Sequence, residues 1–197
     1  MKKVLSIASI LLFTSAVFAG ENEAKELKVN NKISSIEWVG KKVTGQHEGT
    51  INVKEGSINI EGGMLINGML ILDMTSILVT DIEDAETNEK LKGHLYSDDF
   101  FGVENHPTAT LKINNTKKVE GDNYIIIAEL TIKGHTEKVE IPAIVKMEEN
   151  KVVAIGEVEI DRTKFGIKYG SGSFFDDLGD KAIYNNFVVK FKVGATS

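Results

Sequence analysis

The sequence predicts an all-β fold: an eight-stranded antiparallel up-and-down barrel with a short helical excursion. Three observations point there. About eight segments alternate apolar and polar residues with a period of two, the pattern of strands with one buried face. Turn signals such as Gly62-Gly63, Gly121-Asp122-Asn123 and Gly134-His135 sit between neighbouring segments, so sequential strands run antiparallel. Eighteen glycines against two prolines, with many Val, Ile and Thr, suit strands and tight turns, and there is no strong internal repeat or linker. Closing such a sheet removes its exposed edges. An open sandwich of the same strands is the alternative.

At 197 residues the chain suits one or at most two domains, and one fits best. Residues 1–19 read as a secretory signal peptide: Lys2 and Lys3 form a positive n-region, Val4 to Phe18 is apolar, and Val17-Phe18-Ala19 ends in a small residue. A membrane anchor is the competing reading, but the run is shorter than the ~20 residues a span requires. Residues 20–197 then form the domain, with no transmembrane segment, and the expected location is periplasmic or secreted. The chain lacks cysteine, so neither a disulfide nor a lipidated cysteine is available. Losing Lys2 and Lys3 takes the net charge from −6 to −8. That excludes a nucleic-acid binder and removes electrostatic attraction to anionic lipid surfaces.

Gly20 to Lys25 is polar and expected to fray. Ile33 to Gly40 is the first strand. Val43 to Val53 follows, with Val43, Gly45, His47, Gly49, Ile51 and Val53 on one face. Small residues turned inward leave room on the barrel axis, and Ala128, Ala143, Ala154 and Gly156 extend that pattern. Glu55-Gly56 reads as a turn before Ser57 to Glu61. Met64 to Asp73 is apolar on both faces, so either a helix or a second subunit covers its outer side.

Between Thr80 and Phe101 the alternation stops. Asp84 or Thr87 is a cap candidate, and Leu91, His94 and Leu95 share a helical face. Ser97-Asp98-Asp99 looks like a fresh cap for a second helical turn at Phe100-Phe101. Strands resume at Thr108 to Asn114, Tyr124 to Lys133, Val139 to Met147, Val152 to Ile160 and Phe187 to Val193. Pro142 donates no ladder bond, so a bulge or unpaired edge is expected there. Asp161 to Asn186 is too long for a turn, and its Tyr169, Phe174 and Phe175 argue for an ordered, functional loop.

Several segments together resemble the YceI family of exported lipid-binding proteins: S-I-E-W-V-G at Ser35 to Gly40, G-Q-H-E-G at Gly45 to Gly49, L-K-G-H-L-Y-S-D-D-F-F at Leu91 to Phe101, H-P-T-A-T at His106 to Thr110, E-L-T-I-K-G-H-T at Glu129 to Thr136, and D-R-T-K-F-G-I-K-Y-G at Asp161 to Gly170. Each is weak alone; their order and spacing are specific. The resemblance implies an extended lipocalin-like barrel, usually periplasmic, holding a long isoprenoid or other amphiphilic lipid. A quinone-related context is also implied, without known catalysis, and members are often dimers.

Binding a tail needs apolar walls and a few polar groups at a mouth. Trp38, Phe100, Phe101, Phe165, Phe174 and Phe175 are the candidates for wall or lid, each with plain core packing as its alternative. Gly45 and Gly49 are expected to line the void, so a large residue at either should fill it in a folded protein. His47 reads as a head-group contact or a satisfied core histidine, and His94 as a packing or ligating residue. Arg162 reads as a phosphate contact or the partner of Asp98 or Asp99. His135 is expected to be solvated, and Asp176, Asp177 and Asp180 lack the spacing of a calcium loop.

No cysteine nucleophile, G-x-S-x-G, H-E-x-x-H or phosphate-binding glycine loop is present. The reading is therefore a non-enzymatic carrier of an isoprenoid-type lipid, with a possible homodimer and no cofactor or metal beyond the lipid. A metal- or haem-dependent redox protein built on His47 and His94, and a stress-induced structural or adhesion module, are the competing classes.

Overall fold

The alternating segments pair into one sheet whose last strand returns to its first. The computed structural model describes residues 24–197, so the leader expected at residues 1–19 lies outside the described residues. The strands are β1 (Lys25–Val29), β2 (Ser35–Lys42), β3 (Gly45–Glu61), β4 (Met64–Val79), β5 (Thr108–Glu120), β6 (Asn123–Ile132), β7 (His135–Glu148), β8 (Lys151–Asp161) and β9 (Ile183–Thr196). One helix, α1 (Ala85–Tyr96), joins β4 to β5.

From β2 onward each strand pairs antiparallel with the next, and β9 closes on β2 between Ser35↔Lys192 and Lys42↔Ile183. The result is a closed eight-position barrel. β1 and β2 share one position, interrupted by a 3-10 turn at Asn31–Ile33. β1 pairs with the lower half of β3, from Lys25↔Ile60 to Lys28↔Ser57, and β2 with its upper half, from Ile36↔Ile51 to Lys42↔Gly45. Lys25–Val29 is therefore a strand where the sequence suggested only the end of a fraying segment.

Glu55-Gly56 does not turn the chain. β3 runs through it with a register shift against β4 between Val53 and Glu55. A glycine inside a strand often marks a bulge or a close backbone approach, and here it does both. A Cβ on Gly56 would stand 2.7 Å from the Met69 carbonyl oxygen.

The inner face carries the core: Ile36, Ile51, Ile58, Leu70, Ile113, Ile126, Ile141, Ala154 and Val193 are all buried. Gly45 and Gly49 do not contribute open axial space. Gly45 is exposed at the β2–β3 turn. A Cβ on Gly49 would lie 1.8 Å from the Leu78 carbonyl oxygen and 2.7 Å from Trp38 Cζ2. Its smallness lets β4 and the Trp38 ring close over β3. Gly156 is filled likewise, with Phe191 Cζ 2.6 Å from its Cβ position.

Strand direction sorts the connections into two ends. The lower end has tight turns at 61–64, 120–123 and 148–151. The upper end has the β2–β3 and β6–β7 turns, the β4–β5 excursion and the long β8–β9 loop. In the excursion Asp84 caps α1, accepting from the Thr87 amide at 2.9 Å. Ser97 is the C-cap of α1 rather than a new N-cap, and Phe100-Phe101 sit in turns. Tyr96 Oη donates to the Thr75 carbonyl and Asn88 Nδ2 to that of Val79 at 3.0 Å. The helix is thus tied to the top of β4 and leaves Met69, farther down the outer face, 42% exposed. The β7–β8 ladder begins at Ala143↔Gly156, directly after Pro142, so the upper part of β7 is unpaired on that side. His135 is exposed, as expected, and its Nε2 stands 2.8 Å from where a Cβ on Gly166 would be.

Gly49→Val should therefore destabilise the barrel by about 1–3 kcal/mol through overpacking, read as a lower melting temperature. Gly40→Ala, with nothing within 4 Å of its Cβ position, should be nearly neutral.

Candidate functional site

The barrel axis holds a cavity of about 200 Å3. Its walls run from Ile58, Leu65 and Ile113 near the lower end to Leu95, Phe100, Phe101 and Ile167 beneath the upper end. Met74, Ala109, Ile126, Leu130, Ile141, Ala154, Val158 and Val193 line the middle. Apart from the Trp38 indole, the polar side chains of the lining are Lys41, Arg162, Tyr184 and Asn186, all at the upper end where β2 finishes and β9 begins. The cavity surface itself is almost wholly carbon. Tyr184 belongs to the lining and is half exposed, which marks where the interior approaches solvent.

The upper end is closed by an aromatic cluster that draws two distant segments together. His94, from α1, packs edge-on against Phe100 (5.1 Å between centroids) and against Tyr169 of the β8–β9 loop (4.4 Å). Phe101 packs against Phe100 at 6.0 Å. Arg162 lies beneath, its Cζ 5.7 Å from the Phe100 ring centre.

Arg162 is 3% exposed and makes no ion pair with Asp98 or Asp99. It donates through Nε to the Tyr184 carbonyl (3.1 Å), through Nη1 to that of Ile167 (2.8 Å) and through Nη2 to that of Ile183 (3.0 Å). Burial lowers its pKa from the ordinary value, and the nearby Asp161 opposes that. Guanidinium groups nevertheless stay charged in proteins. The side chain clamps the rim: one planar fork holds the 3-10 turn at Arg162–Phe165, the loop and the start of β9 in a single arrangement.

His47 does not enter the cavity. It sits at the upper rim with Nδ1 2.8 Å from Asp81 Oδ2, while Asp81 Oδ1 accepts from the Glu48 amide at 3.0 Å. Burial opposes the Asp81 charge, but the Glu48 amide and the His47 ring more than offset it, so this carboxyl titrates below its ordinary range. The pair ties the start of β3 to the segment after β4.

Of the residues singled out in the sequence, Trp38, Phe100, Phe101 and Arg162 line the cavity; Gly45, His47, Gly49, His94, Phe165, Phe174 and Phe175 are absent from its lining. Phe165 is fully buried in its 3-10 turn, and Phe174 and Phe175 stand half exposed on the long loop. The Trp38 indole nitrogen is buried without a hydrogen-bond partner among the described residues. His47 and His94 have separate surroundings, and no cluster of three or more His, Cys, Asp or Glu able to hold a metal occurs among the described residues. Ile183 and Tyr184 also line the rim. Alternation carried back from Phe187 reaches Ile183, but Tyr184 is out of phase with it and has no such signal. Nothing in sequence links Asp81 to His47.

A closed antiparallel barrel around a carbon-lined cavity, with its few polar wall groups at one end, defines a lipocalin-like binding barrel. The chain belongs to the YceI-like domain family, whose model matches residues 27–195. No curated protein sequence matches it significantly. Its fold is similar to Burkholderia cenocepacia BcnA (22% identity, 85% of this chain and 99% of that one, TM-score 0.68). It is similar to a polyisoprenoid binding domain from Saccharophagus degradans implicated in plant cell wall breakdown (14% identity, 87% and 98% covered, TM-score 0.62). The YCEI protein of Campylobacter jejuni also shares the fold (13% identity, 100% and 99% covered, TM-score 0.56).

The Asp81 tie has a definite pH sign. A carboxyl with a lowered folded pKa contributes stability above its unfolded value and loses it as pH falls through the folded one. Asp81→Asn should cost about 1 kcal/mol or less at neutral pH, as partly exposed pairs do. Chemical denaturation should show that difference vanishing in acid below the ordinary carboxylate range.

Proposed function

We propose that this chain is an exported, non-enzymatic binding protein that carries or sequesters an isoprenoid-type or other amphiphilic lipid, with the tail in the barrel and the head at the upper rim. The observation that carries this is the carbon-lined cavity. An unfilled interior volume costs about 24 cal/mol per Å3, so a 200 Å3 void forgoes about 5 kcal/mol. That is comparable to the whole net stability of many domains. A cavity retained at such a cost is one meant to be filled. Each methylene buried in it returns about 0.8 kcal/mol. Lys41, Tyr184 and Asn186 supply hydrogen-bonding groups for a head, quinone-like or otherwise, where the wall turns polar. Membership of the YceI-like family and the fold shared with a polyisoprenoid binding domain support the same ligand class. The leader-like residues 1–19 support a periplasmic or secreted location.

Ala154 and Ala109 are small buried wall residues. Ala154→Phe, with Ala109→Phe as a second variant, should keep the barrel's circular dichroism while abolishing uptake of a fluorescent polyprenol. Organic extraction and mass spectrometry of the wild-type protein should yield a co-purifying lipid. Failure of the folded wild type to yield or take up any lipid would refute the carrier reading.

Self-association belongs to the same proposal, on the outer face of β4, where Met64 and Met69 are exposed and Ile71 is only partly buried. Met69→Lys should shift sedimentation towards a slower species. An unchanged profile would remove that seam.

A further inference from the structure

All the exposed Phe, Tyr and Trp side chains among the described residues, Tyr169, Phe174, Phe175 and Tyr184, fall within one stretch of sixteen residues at the upper rim. We infer that this rim is a membrane-docking surface, which seats the barrel on a zwitterionic bilayer so that a tail passes into the cavity without crossing water. The inference rests on the carrier reading above.

Three features carry it. The first is continuity: Tyr184 both lines the cavity and faces solvent, so one exposed ring of this stretch borders the apolar interior. The second is that the loop is held in the conformation that exposes the rings. Ser171 is fully buried and its hydroxyl bonds Asn185 Oδ1 at 2.7 Å, while Asn185 Nδ2 donates to Ser173 Oγ at 2.9 Å. The amides of Phe174 and Phe175 both donate to the Ser171 carbonyl at 3.0 Å, and the Ile183 amide donates to that of Gly170 at 2.8 Å. Two phenylalanines kept half in water on a braced loop are not core residues that missed the core.

The third is the chemistry of the surroundings. Aromatic rings with polar neighbours concentrate at the bilayer interface, and the exposed Lys168 holds its Nζ 4.8 Å over the Phe174 ring, a cation beside the apolar surface. Asp176, Asp177 and Asp180 flank the pair, and the whole chain is acidic, which disfavours anionic lipid and a purely electrostatic attachment. The partner that fits is an uncharged or zwitterionic surface entered by apolar insertion.

The test is transfer of a fluorescent polyprenol from loaded protein to phosphatidylcholine vesicles, comparing wild type with the double variant Phe174→Ser, Phe175→Ser. Docking predicts a transfer rate that rises with vesicle concentration, and a loss of about tenfold or more in the variant, given the apolar area removed. Loading from ethanol and the melting temperature should be unchanged. A wild-type rate independent of vesicle concentration, or an equal rate in the variant, would overturn the inference and leave the carrier reading intact. If the wild type loads no polyprenol, the carrier reading fails, and flotation of the unloaded protein with the same vesicles tests docking alone: loss of flotation in the variant supports it, and no flotation of wild type overturns it. A change of sedimentation in the variant without lipid would assign the patch to a second copy and also overturn docking.

Discussion

The β2–β9 ladder is the interaction on which the rest of the structure depends. It joins residues 141 to 157 positions apart, and it turns an open sheet of apolar inner faces into a walled axis. Without it two long edges would be exposed, and the inner faces could collapse on one another as a sandwich. With it, strands held at about 4.8 Å spacing fix the circumference, and eight strand positions are just wide enough for side chains or one small ligand. The interior is then a matter of which side chains point in. Here they are aliphatic and aromatic but do not fill the space.

The two ends of the barrel differ because their connections differ. Tight turns at the lower end leave nothing to carry chemistry. At the upper end the chain spends its long insertions, and the motifs scattered through the sequence converge there: the His47 strand, α1 with Phe100 and Phe101, and the loop from Arg162 to Lys181. Arg162 explains how this end holds its shape. A buried cation without a carboxylate partner is expensive unless its N–H groups are satisfied. Three backbone carbonyls satisfy them while fixing the entry to β9. Arg162 borders the cavity at its upper end, with its N–H groups taken up by backbone rather than turned on the apolar wall.

On the proposed carrier reading, the same geometry would separate holding a tail from exchanging it. Met74, Leu130 and Ile141 in the middle of the barrel would remove a chain from water. Exchange would fall to the rim, where the wall is polar or half exposed and where the β7–β8 ladder is interrupted above Pro142.

By itself the chain determined the eight-stranded antiparallel barrel, the helical excursion with its cap at Asp84 or Thr87 and the family, because period-two alternation, turn residues and local caps act over a few neighbouring residues. It also marked Trp38, Phe100 and Phe101 as wall or lid candidates, and these three line the cavity. What only the tertiary structure decided are relations between distant positions. Whether Gly49 opens space or admits a neighbouring strand depends on where Leu78 passes. Whether His47 looks inward depends on Asp81. Whether Arg162 meets a ligand, an acid or three carbonyls depends on where β9 starts. Alternation gives a face to each residue but no occupant to the space in front of it, and that occupant is set by strands and loops closing from elsewhere in the chain.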